Sequence, residues 1–245
     1  KILKKSINKN FDRAVNLIVD CQSKIIFCGV GKSGLIAAKI ASTFSSVGSP
    51  AFSLSANDCL HGDLGSITKK DVLILISNSG KSEEIIPIIK FANRNRIKLI
   101  GIVSKKNSFL YKASDIKILL PEVKESGLGV VPTSSTSIQL AIGDALAVAA
   151  LKKKQFSKYD FSRLHPGGNL GKLLKTVGDI MVSGTKIPFI NENKNMKEAL
   201  KTISKKRLGV VIAQNKKKIT TGIITDGNVR KLRQKNIDFQ KTIIK

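Results

Sequence analysis

The sequence predicts an α/β protein: a doubly wound parallel sheet of five strands, followed by a small β-α-β-β-α unit. Short apolar runs alternate with amphipathic segments as far as residue 152. This alternation is typical of parallel strands joined by helices that cover both faces of the sheet. From Val177 the strands become shorter and lysines separate them. We therefore expect a large domain and a small one.

Five apolar runs predict the strands of the first domain: residues 24–28, 51–54, 72–76, 98–103 and 116–120. Apolar residues at three- or four-residue spacing predict its helices over residues 7–22, 36–44 and 137–152, with another that starts after Ser82. Because the strands are parallel, the turns that follow them lie along one edge of the sheet, where ligands bind in this architecture.

The remainder of the chain divides into a connector and the small unit. Residues 156–176 are predicted to be the connector and contain the sequence HPGG. The small unit shows a helix near residues 196–204, strands over 209–213 and 221–224, and a last helix after Gly227. We place the domains at residues 1–155 and 177–245.

The net charge of +26 at pH 7 comes from 43 Lys and Arg against 17 Asp and Glu, and it indicates an anionic partner. Tryptophan is absent and tyrosine numbers 2, so aromatic platforms for stacking nucleic-acid bases are scarce. We favour a small anionic substrate over a specific nucleic acid. Three cysteines without CxxC spacing favour a reducing, cytoplasmic compartment. No run approaches the roughly 20 apolar residues of a membrane span.

The turn after the third strand is the first candidate anion site. Ser77, Ser79 and Ser82 surround Gly80, and Glu83 and Glu84 are expected in the first turn of the next helix. Unpaired N–H groups at a helix start attract anions, and hydroxyls add donors. The alternative is an ordinary serine N-cap with a capping-box glutamate. Because capping needs one hydroxyl and this turn has three, we put the phosphate site first.

A glycine turn after the first strand is the second candidate. Gly29, Gly31 and Gly34 form GxGxxG, which also occurs in dinucleotide sites. Such a site needs an acidic residue at the end of the next strand, and residues 51–55 contain none; the glycine spacing also excludes a P-loop. What remains is a turn with Lys32 and Ser33 that suits a small phosphorylated ligand.

Both histidines of the chain, His61 and His165, stand in glycine-containing loops. An ordinary histidine pKa of roughly 6.5 suits proton transfer near neutrality. The alternative is that each ring only pins its loop through a hydrogen bond, and this alternative has more weight for His61. Glu125 precedes a run of hydroxyl residues, 133–136, that forms another candidate binding turn, with helix capping as the alternative.

Six motifs in order resemble the arabinose-5-phosphate isomerase family: GVGKSG, LHGDLG, ISNSGKSEEI, PTSST, GDALAVAALK and HPGGNLG. That family has a sugar isomerase domain, the SIS fold, followed by paired cystathionine-β-synthase (CBS) repeats. The resemblance implies interconversion of D-arabinose 5-phosphate and D-ribulose 5-phosphate, on the route to the Kdo sugar of bacterial lipopolysaccharide. It implies no cofactor, since the reaction only moves protons.

The resemblance also implies residue roles. Aldose–ketose exchange moves a proton between C1 and C2 through a cis-enediol, so it needs a base and a cation beside the developing oxyanion. His165 or Glu125 is expected to move the carbon-bound proton. Lys32 is expected to stabilise the enediolate, and Glu84 to relay the hydroxyl proton or to orient that lysine. The expected substrate contacts are Ser33, Gly48, Ser49, His61, Ser77, Ser79, Gly80, Ser82, Thr133 and Ser134.

Two departures from the family pattern bear on the metal site and on the domain organisation. Ser55 stands where the family has a histidine that can bind zinc, so we expect no metal site. One CBS repeat is visible, so we expect the second to be absent. Because SIS folds usually form their sites between subunits, we expect a homotetramer.

Two rival functions remain at this point. One is a non-catalytic regulator that binds a sugar phosphate, and the other is a different phosphosugar isomerase. The catalytic set implied by the resemblance favours an enzyme.

Overall fold

A computed structural model describes residues 2–166, 176–235, 238 and 241–244. The described residues form two compact units, one up to Pro166 and one from Thr176 onward. Residues 158–164, which the sequence analysis assigns to a connector, form a helix within the first unit. Gly167 and Gly168 of the HPGG sequence lie outside the described residues.

The first unit is built on a five-stranded, fully parallel sheet in the order β2-β1-β3-β4-β5. The strands are β1 (Ile25–Gly29), β2 (Ala51–Ser55), β3 (Val72–Ser77), β4 (Lys98–Val103) and β5 (Ile116–Leu119). All six residues of β3 are buried because it lies at the centre of the sheet with helices on both faces. The predicted doubly wound parallel sheet is confirmed.

The described part of the first unit contains seven helices: α1 (Lys9–Val19), α2 (Lys32–Ser46), α3 (Ala56–Cys59), α4 (Ile85–Arg94), α5 (Phe109–Ala113), α6 (Ser134–Lys153) and α7 (Lys158–Leu164). Short 3₁₀ turns cover Ile2–Ser6 and Asp63–Ser66. Alternate strand residues point to opposite faces. Ile25 and Phe27 therefore join a core with α1, α2 and α6, while Ile26 and Cys28 join one with α3, α4 and α5.

Helix α4 begins later than the sequence analysis expects. Glu83 precedes the helix, Glu84 is its N-cap residue, and the first helical residue is Ile85. The reason is Pro87, which has no N–H to donate to the carbonyl of Glu83 and whose ring would clash with that carbonyl. A helix that includes Pro87 therefore has to keep the proline within its first turn.

By length and composition alone, helix α6 could cross a membrane. This contradicts the expectation that the chain has no apolar segment of that length. However, Ile142, Leu146 and Ala150 are buried in the core. Halfway along the helix, Asp144 accepts the ammonium of Lys39 at 2.6 Å. These contacts are those of a core helix that packs on α2.

Asp71 holds the amino end of β3 and is 1% exposed. Its carboxylate accepts the Lys24 ammonium at 2.9 Å and the backbone N–H groups of Lys24 and Thr68 at 3.2 and 2.6 Å. Burial by itself would raise the pKa of Asp71. The hydrogen bonds from Thr68 and Lys24 outweigh burial and lower that pKa to about 2. The folded protein therefore favours the ionised carboxylate.

We expect Asp71→Asn to lower the free energy of unfolding at pH 7 by about 2 kcal/mol, because the folded pKa lies below the ordinary aspartate value of about 3.9. A depressed carboxyl pKa contributes stability above pH 4 and loses it as the pH falls toward 2. The gap between the wild type and the variant should therefore shrink at pH 3. Urea unfolding at both pH values measures it, with the exposed Asp20→Asn as the control. A gap of equal size at both pH values would contradict the assignment.

The second unit has the predicted β-α-β-β-α order. Its strands β6 (Phe189–Asn191), β7 (Val210–Gln214) and β8 (Thr220–Thr225) form one sheet, parallel between β6 and β7 and antiparallel between β7 and β8. Helices Met196–Lys206 and Asp226–Gln234 follow β6 and β8, and Met196, Ala199, Ile203 and Val211 form a small core. A short helix, Val177–Ile180, and a 3₁₀ turn, Gly184–Lys186, precede β6.

Candidate active site

Two of the predicted binding turns leave the sheet side by side. Gly29, the last residue of β1, pairs in register with Ile76 near the end of β3. A side chain on Gly29 would lie 2.9 Å from the Ile76 carbonyl, and one on Gly34 would lie 2.8 Å from the Gly29 carbonyl. Glycines at these positions let α2 start close against the sheet. The turn that carries Lys32 is therefore next to the turn that carries Ser77.

Lys32 is the exposed first residue of α2. Its neighbour Ser33 donates its hydroxyl to Oε1 of Gln139 at 3.1 Å, which ties α2 to α6. Gln139 is 1% exposed, and its Nε2 has no hydrogen-bond partner among the described residues. Sequence patterns alone do not single out Gln139 as a site residue. The only sequence feature that could have indicated Gln139 is that its amide side chain stands among apolar residues in the predicted helix 137–152.

The serine turn of residues 77–82 keeps its hydroxyl hydrogens available. Ser77 Oγ accepts the Gly80 N–H at 3.0 Å, and Ser79 Oγ accepts the Lys81 N–H at 3.3 Å. Each hydroxyl can still donate its own hydrogen to an anion. Gly80 has a φ of +63°, a conformation that favours glycine. Ser82 and Glu84 follow as half-buried residues just before α4.

Glu125 binds the start of α6. Its Oε2 accepts the backbone N–H of Thr133 at 2.8 Å, that of Ser135 at 3.2 Å and the hydroxyl of Thr133 at 3.3 Å. Helix α6 starts at Ser134, so the predicted start at residue 137 is three residues late. The reason is that a carboxylate from the preceding loop satisfies N–H groups at the helix start.

These hydrogen bonds stabilise the ionised form of the Glu125 carboxyl group. The hydroxyl of Ser135 and the backbone N–H of Thr133 lower its pKa to about 2. A carboxylate with so low a pKa is ionised near neutrality and holds protons weakly. Ser134 has its hydroxyl 3.2 Å from that of Ser126 in the same loop. Capping is the predicted alternative for the hydroxyls of residues 133–136; here the carboxylate of Glu125 accepts the N–H groups instead, and the N-cap residue Thr133 makes no capping hydrogen bond with its side chain.

The charge of Glu125 can be tested by the pH dependence of turnover. Its carboxyl does not titrate between pH 5 and 8, so any change of kcat within that window should persist in Glu125→Gln. The loop of residues 126–133 should become more accessible to protease in the same variant, because a neutral amide oxygen accepts the N–H groups of Thr133 and Ser135 more weakly than the carboxylate does. An acidic limb that disappears in the variant would instead identify Glu125 as the titrating base.

His61 is exposed and follows α3 on the same edge of the sheet as the two turns. Its backbone N–H donates to the Asp58 carbonyl at 2.9 Å. Ser55 caps α3 by accepting the Asp58 N–H at 3.3 Å. Within the residues that the structure describes, no group of three His, Cys, Asp or Glu side chains could hold a metal ion.

Gly48 and Ser49 lie at the opposite edge of the sheet, because they precede β2 whereas the other turns follow their strands. Ser49 is 1% exposed, and its hydroxyl accepts the Lys154 ammonium at 2.9 Å. A side chain on Gly48 would overlap Phe156 at 2.4 Å. Within one chain these two residues therefore do not join Lys32 and the serine turn.

His165 lies at the same far edge as Gly48. Gly48, Phe156, Asp160, Arg163 and Leu164 line a cavity of about 290 Å³, and Leu164 precedes the histidine. The Ser157–Asp160 capping box, a signal that the sequence analysis missed, starts α7 here.

The surroundings of His165 set its tautomer. Its ring stacks on Phe161 at 3.8 Å, and Nδ1 lies 2.8 Å from the Phe161 carbonyl. A carbonyl only accepts, so Nδ1 carries the hydrogen. Nε2 is then the basic nitrogen.

The structure thus brings most predicted residues together at the carboxyl edge of the sheet and leaves three at the amino edge. The first group is Lys32, Ser33, His61, Ser77, Ser79, Gly80, Ser82, Glu84, Glu125, Thr133 and Ser134. The second is Gly48, Ser49 and His165. Two serine-rich turns, a glycine turn and an exposed ammonium suit an anionic ligand with oxygen atoms.

Comparison with known proteins defines the class. The SIS-domain family model matches residues 18–149, and the CBS-domain model matches residues 177–235. The molecule is thus a SIS domain followed by a CBS domain. Arabinose 5-phosphate isomerase KdsD of Yersinia pestis is 42% identical over 240 residues, which is 97% of this chain and 73% of that protein. KdsD of Escherichia coli strain K12 is 40% identical with the same coverage. The chain belongs to the arabinose 5-phosphate isomerase family.

A solved structure agrees with this relationship. The protein from E. coli CFT073 in complex with arabinose 5-phosphate has a TM-score of 0.64 and 37% identity, and the match covers 67% of this chain and 90% of that one. A solved structure of a Listeria monocytogenes protein has the same TM-score at 32% identity, and the match covers 65% of this chain and 84% of that one. Both matches support the fold of the first unit.

Proposed function

We propose that this protein is an aldose–ketose isomerase that interconverts D-arabinose 5-phosphate and D-ribulose 5-phosphate. The main support for this proposal is the exposed ammonium of Lys32 beside the serine turn, in a chain about 40% identical to arabinose 5-phosphate isomerases. The arabinose 5-phosphate bound in a structural relative supports the same substrate.

The substrate phosphate is assigned to the serine turn. Ser77, Ser79 and Ser82 offer hydroxyl hydrogens, and Gly80 lets the backbone come close. The start of α4 adds a partial positive charge, although the N–H groups of Ile85 and Ile86 already donate to the carbonyls of Ser82 and Glu83. The sugar then extends toward the glycine turn, where Lys32 can face its carbonyl oxygen.

The reaction is assigned to a base and a cation. The low pKa of Glu125 makes this carboxylate a poor acceptor for a carbon-bound proton. His165 presents Nε2 as a base and is the better candidate. Lys32 would stabilise the oxyanion of the cis-enediolate, and Glu84 would relay the hydroxyl proton or orient Lys32.

A complete site requires a second copy of the chain. Glu125 contacts the start of α6. Lys154, at the other end of α6, contacts Ser49 at the amino edge of the sheet, where His165 also lies. Twenty helical residues span about 30 Å, too far for direct contact. We assign His165, Gly48 and Ser49 to the site of a neighbouring subunit, in a homotetramer. The enzyme would act in the cytoplasm, ahead of the Kdo sugar of lipopolysaccharide.

The direct test is turnover of D-arabinose 5-phosphate, with ribose 5-phosphate and glucosamine 6-phosphate as controls. Specific formation of D-ribulose 5-phosphate is expected. Binding of the sugar phosphate without turnover, in the intact chain, would favour the regulator instead.

The shared site is tested by mixing two inactive variants, Lys32→Ala and His165→Ala. Random exchange across a twofold interface should restore about a quarter of the wild-type activity, because half of the pairs contain one intact site. Activity no higher than that of the separate variants would place the whole site in one chain.

A further inference from the structure

A cavity of about 420 Å³ lies beyond the serine turn, on the side of β4. Ser79, Lys81, Lys105, Lys106, Asn107 and Glu122 are among its lining residues, and we call it the lysine pocket. Its size falls within the range of about 300–1,000 Å³ that small-molecule sites occupy. The predicted catalytic residues Lys32, Glu84, Glu125 and His165 do not line it. The pocket is therefore separate from the catalytic groups and shares Ser79 with the substrate turn.

The walls of the lysine pocket are held by hydrogen bonds between two loops. Ser104 donates its hydroxyl to Asn78 Oδ1 at 2.7 Å and its N–H to the Asn78 carbonyl at 3.2 Å. Leu110 donates its N–H to the Gly80 carbonyl at 3.1 Å. The packing at Gly80 is so close that a side chain there would lie 2.4 Å from the Ser108 hydroxyl. A ligand would therefore meet a preformed site.

The pocket has an excess of positive charge. Three lysines and one glutamate line it, and the Lys105 ammonium pairs with the Glu122 carboxylate at 2.5 Å. Within the described part of the chain, Lys81 and Lys106 have no ion-pair partner. Two uncompensated ammonium groups around one cavity repel each other, and an anion between them would remove that repulsion.

We infer that the lysine pocket is a second anion site, which binds a phosphate dianion, either free or carried by a small phosphomonoester. Lys81 and Lys106 supply the charge, and the hydroxyl of Ser79 and the amide of Asn107 supply further donors. Ser79 also borders the substrate turn. A phosphate in the lysine pocket would therefore compete for its hydroxyl hydrogen and weaken substrate binding without touching the catalytic groups.

The test is calorimetric titration of inorganic phosphate into the full chain at low salt. Lys106→Ala should weaken one class of phosphate site about tenfold or more, because it removes a charged donor. Lys112→Ala removes an exposed lysine on α5 that does not line the pocket, so its affinities should stay within about twofold of the wild type. Equal phosphate affinities in the wild type and Lys106→Ala would overturn the inference.

A second titration identifies the source of the phosphate. Glycerol 3-phosphate that binds the Lys106-dependent site at least as tightly as inorganic phosphate would indicate a phosphomonoester. Exclusion of glycerol 3-phosphate from that site would indicate the free ion. Both readouts measure binding, so failure of the isomerase assay would leave this inference standing.

Discussion

Replacing His165 by alanine is expected to lower kcat by about a hundred- to ten-thousandfold, the usual contribution of a positioned proton-transfer group. The Phe161 carbonyl holds Nδ1 as the donor, so Nε2 is ready to take the proton from C1 or C2. Turnover of arabinose 5-phosphate by the purified variant measures the loss. The substrate KM should change much less than kcat, because the imidazole accepts the proton in the transition state and contributes little to binding of the ground-state substrate.

The structure supplies a control for this variant. Phe161→Leu removes the ring that stacks on His165 but keeps the carbonyl that fixes Nδ1. It should retain most of the activity that His165→Ala loses. Thermal unfolding should show both variants folded, because His165 is the C-cap residue of a short helix and lies outside the main cores. Undiminished turnover of His165→Ala would remove this histidine from the mechanism.

Replacing Lys32 by methionine should lower kcat by about a hundred- to a thousandfold, similar to the loss of one donor from an oxyanion site. Methionine keeps most of the length of the side chain and removes its charge. Lys32 is exposed on the first turn of α2, so the free energy of unfolding should hardly change. A change in kcat with little change in KM would show that the ammonium acts mainly in the transition state.

Lys39→Met is the matched control for Lys32→Met. Lys39 lies on the same helix, and its ammonium pairs with Asp144 at 2.6 Å between half-exposed side chains. Loss of such an exposed pair costs about 0–1 kcal/mol of stability and should leave kcat unchanged. If both variants lost activity equally, the effect would reflect the net charge of the protein rather than the position of Lys32.

Much of the fold could be predicted from local patterns. Strand β4 begins and ends at the predicted residues, and β1, β2, β3 and β5 lie within one residue of theirs. Buried strands in a parallel sheet have continuous apolar runs, and short runs bounded by glycine or serine are readily located. The helix starts were less accurate, because Pro87 delays α4 and Glu125 allows an early start of α6.

The sequence by itself determined the chain order of the strands and of the longer helices, the family and the residue types of the site, whereas the short helices α3, α5 and α7 were not predicted. The tertiary structure decided which of those residues meet. Gly48 and Ser49 precede a parallel strand, so chain direction places them at the edge opposite Lys32, and α6 carries the chain back to that edge before His165. The ionisation state of Glu125 also depends on the tertiary structure, because its hydrogen-bond partners Thr133 and Ser135 lie eight and ten residues away, across a loop. Local periodicity contains no information about contacts of this kind, which depend on how the elements pack.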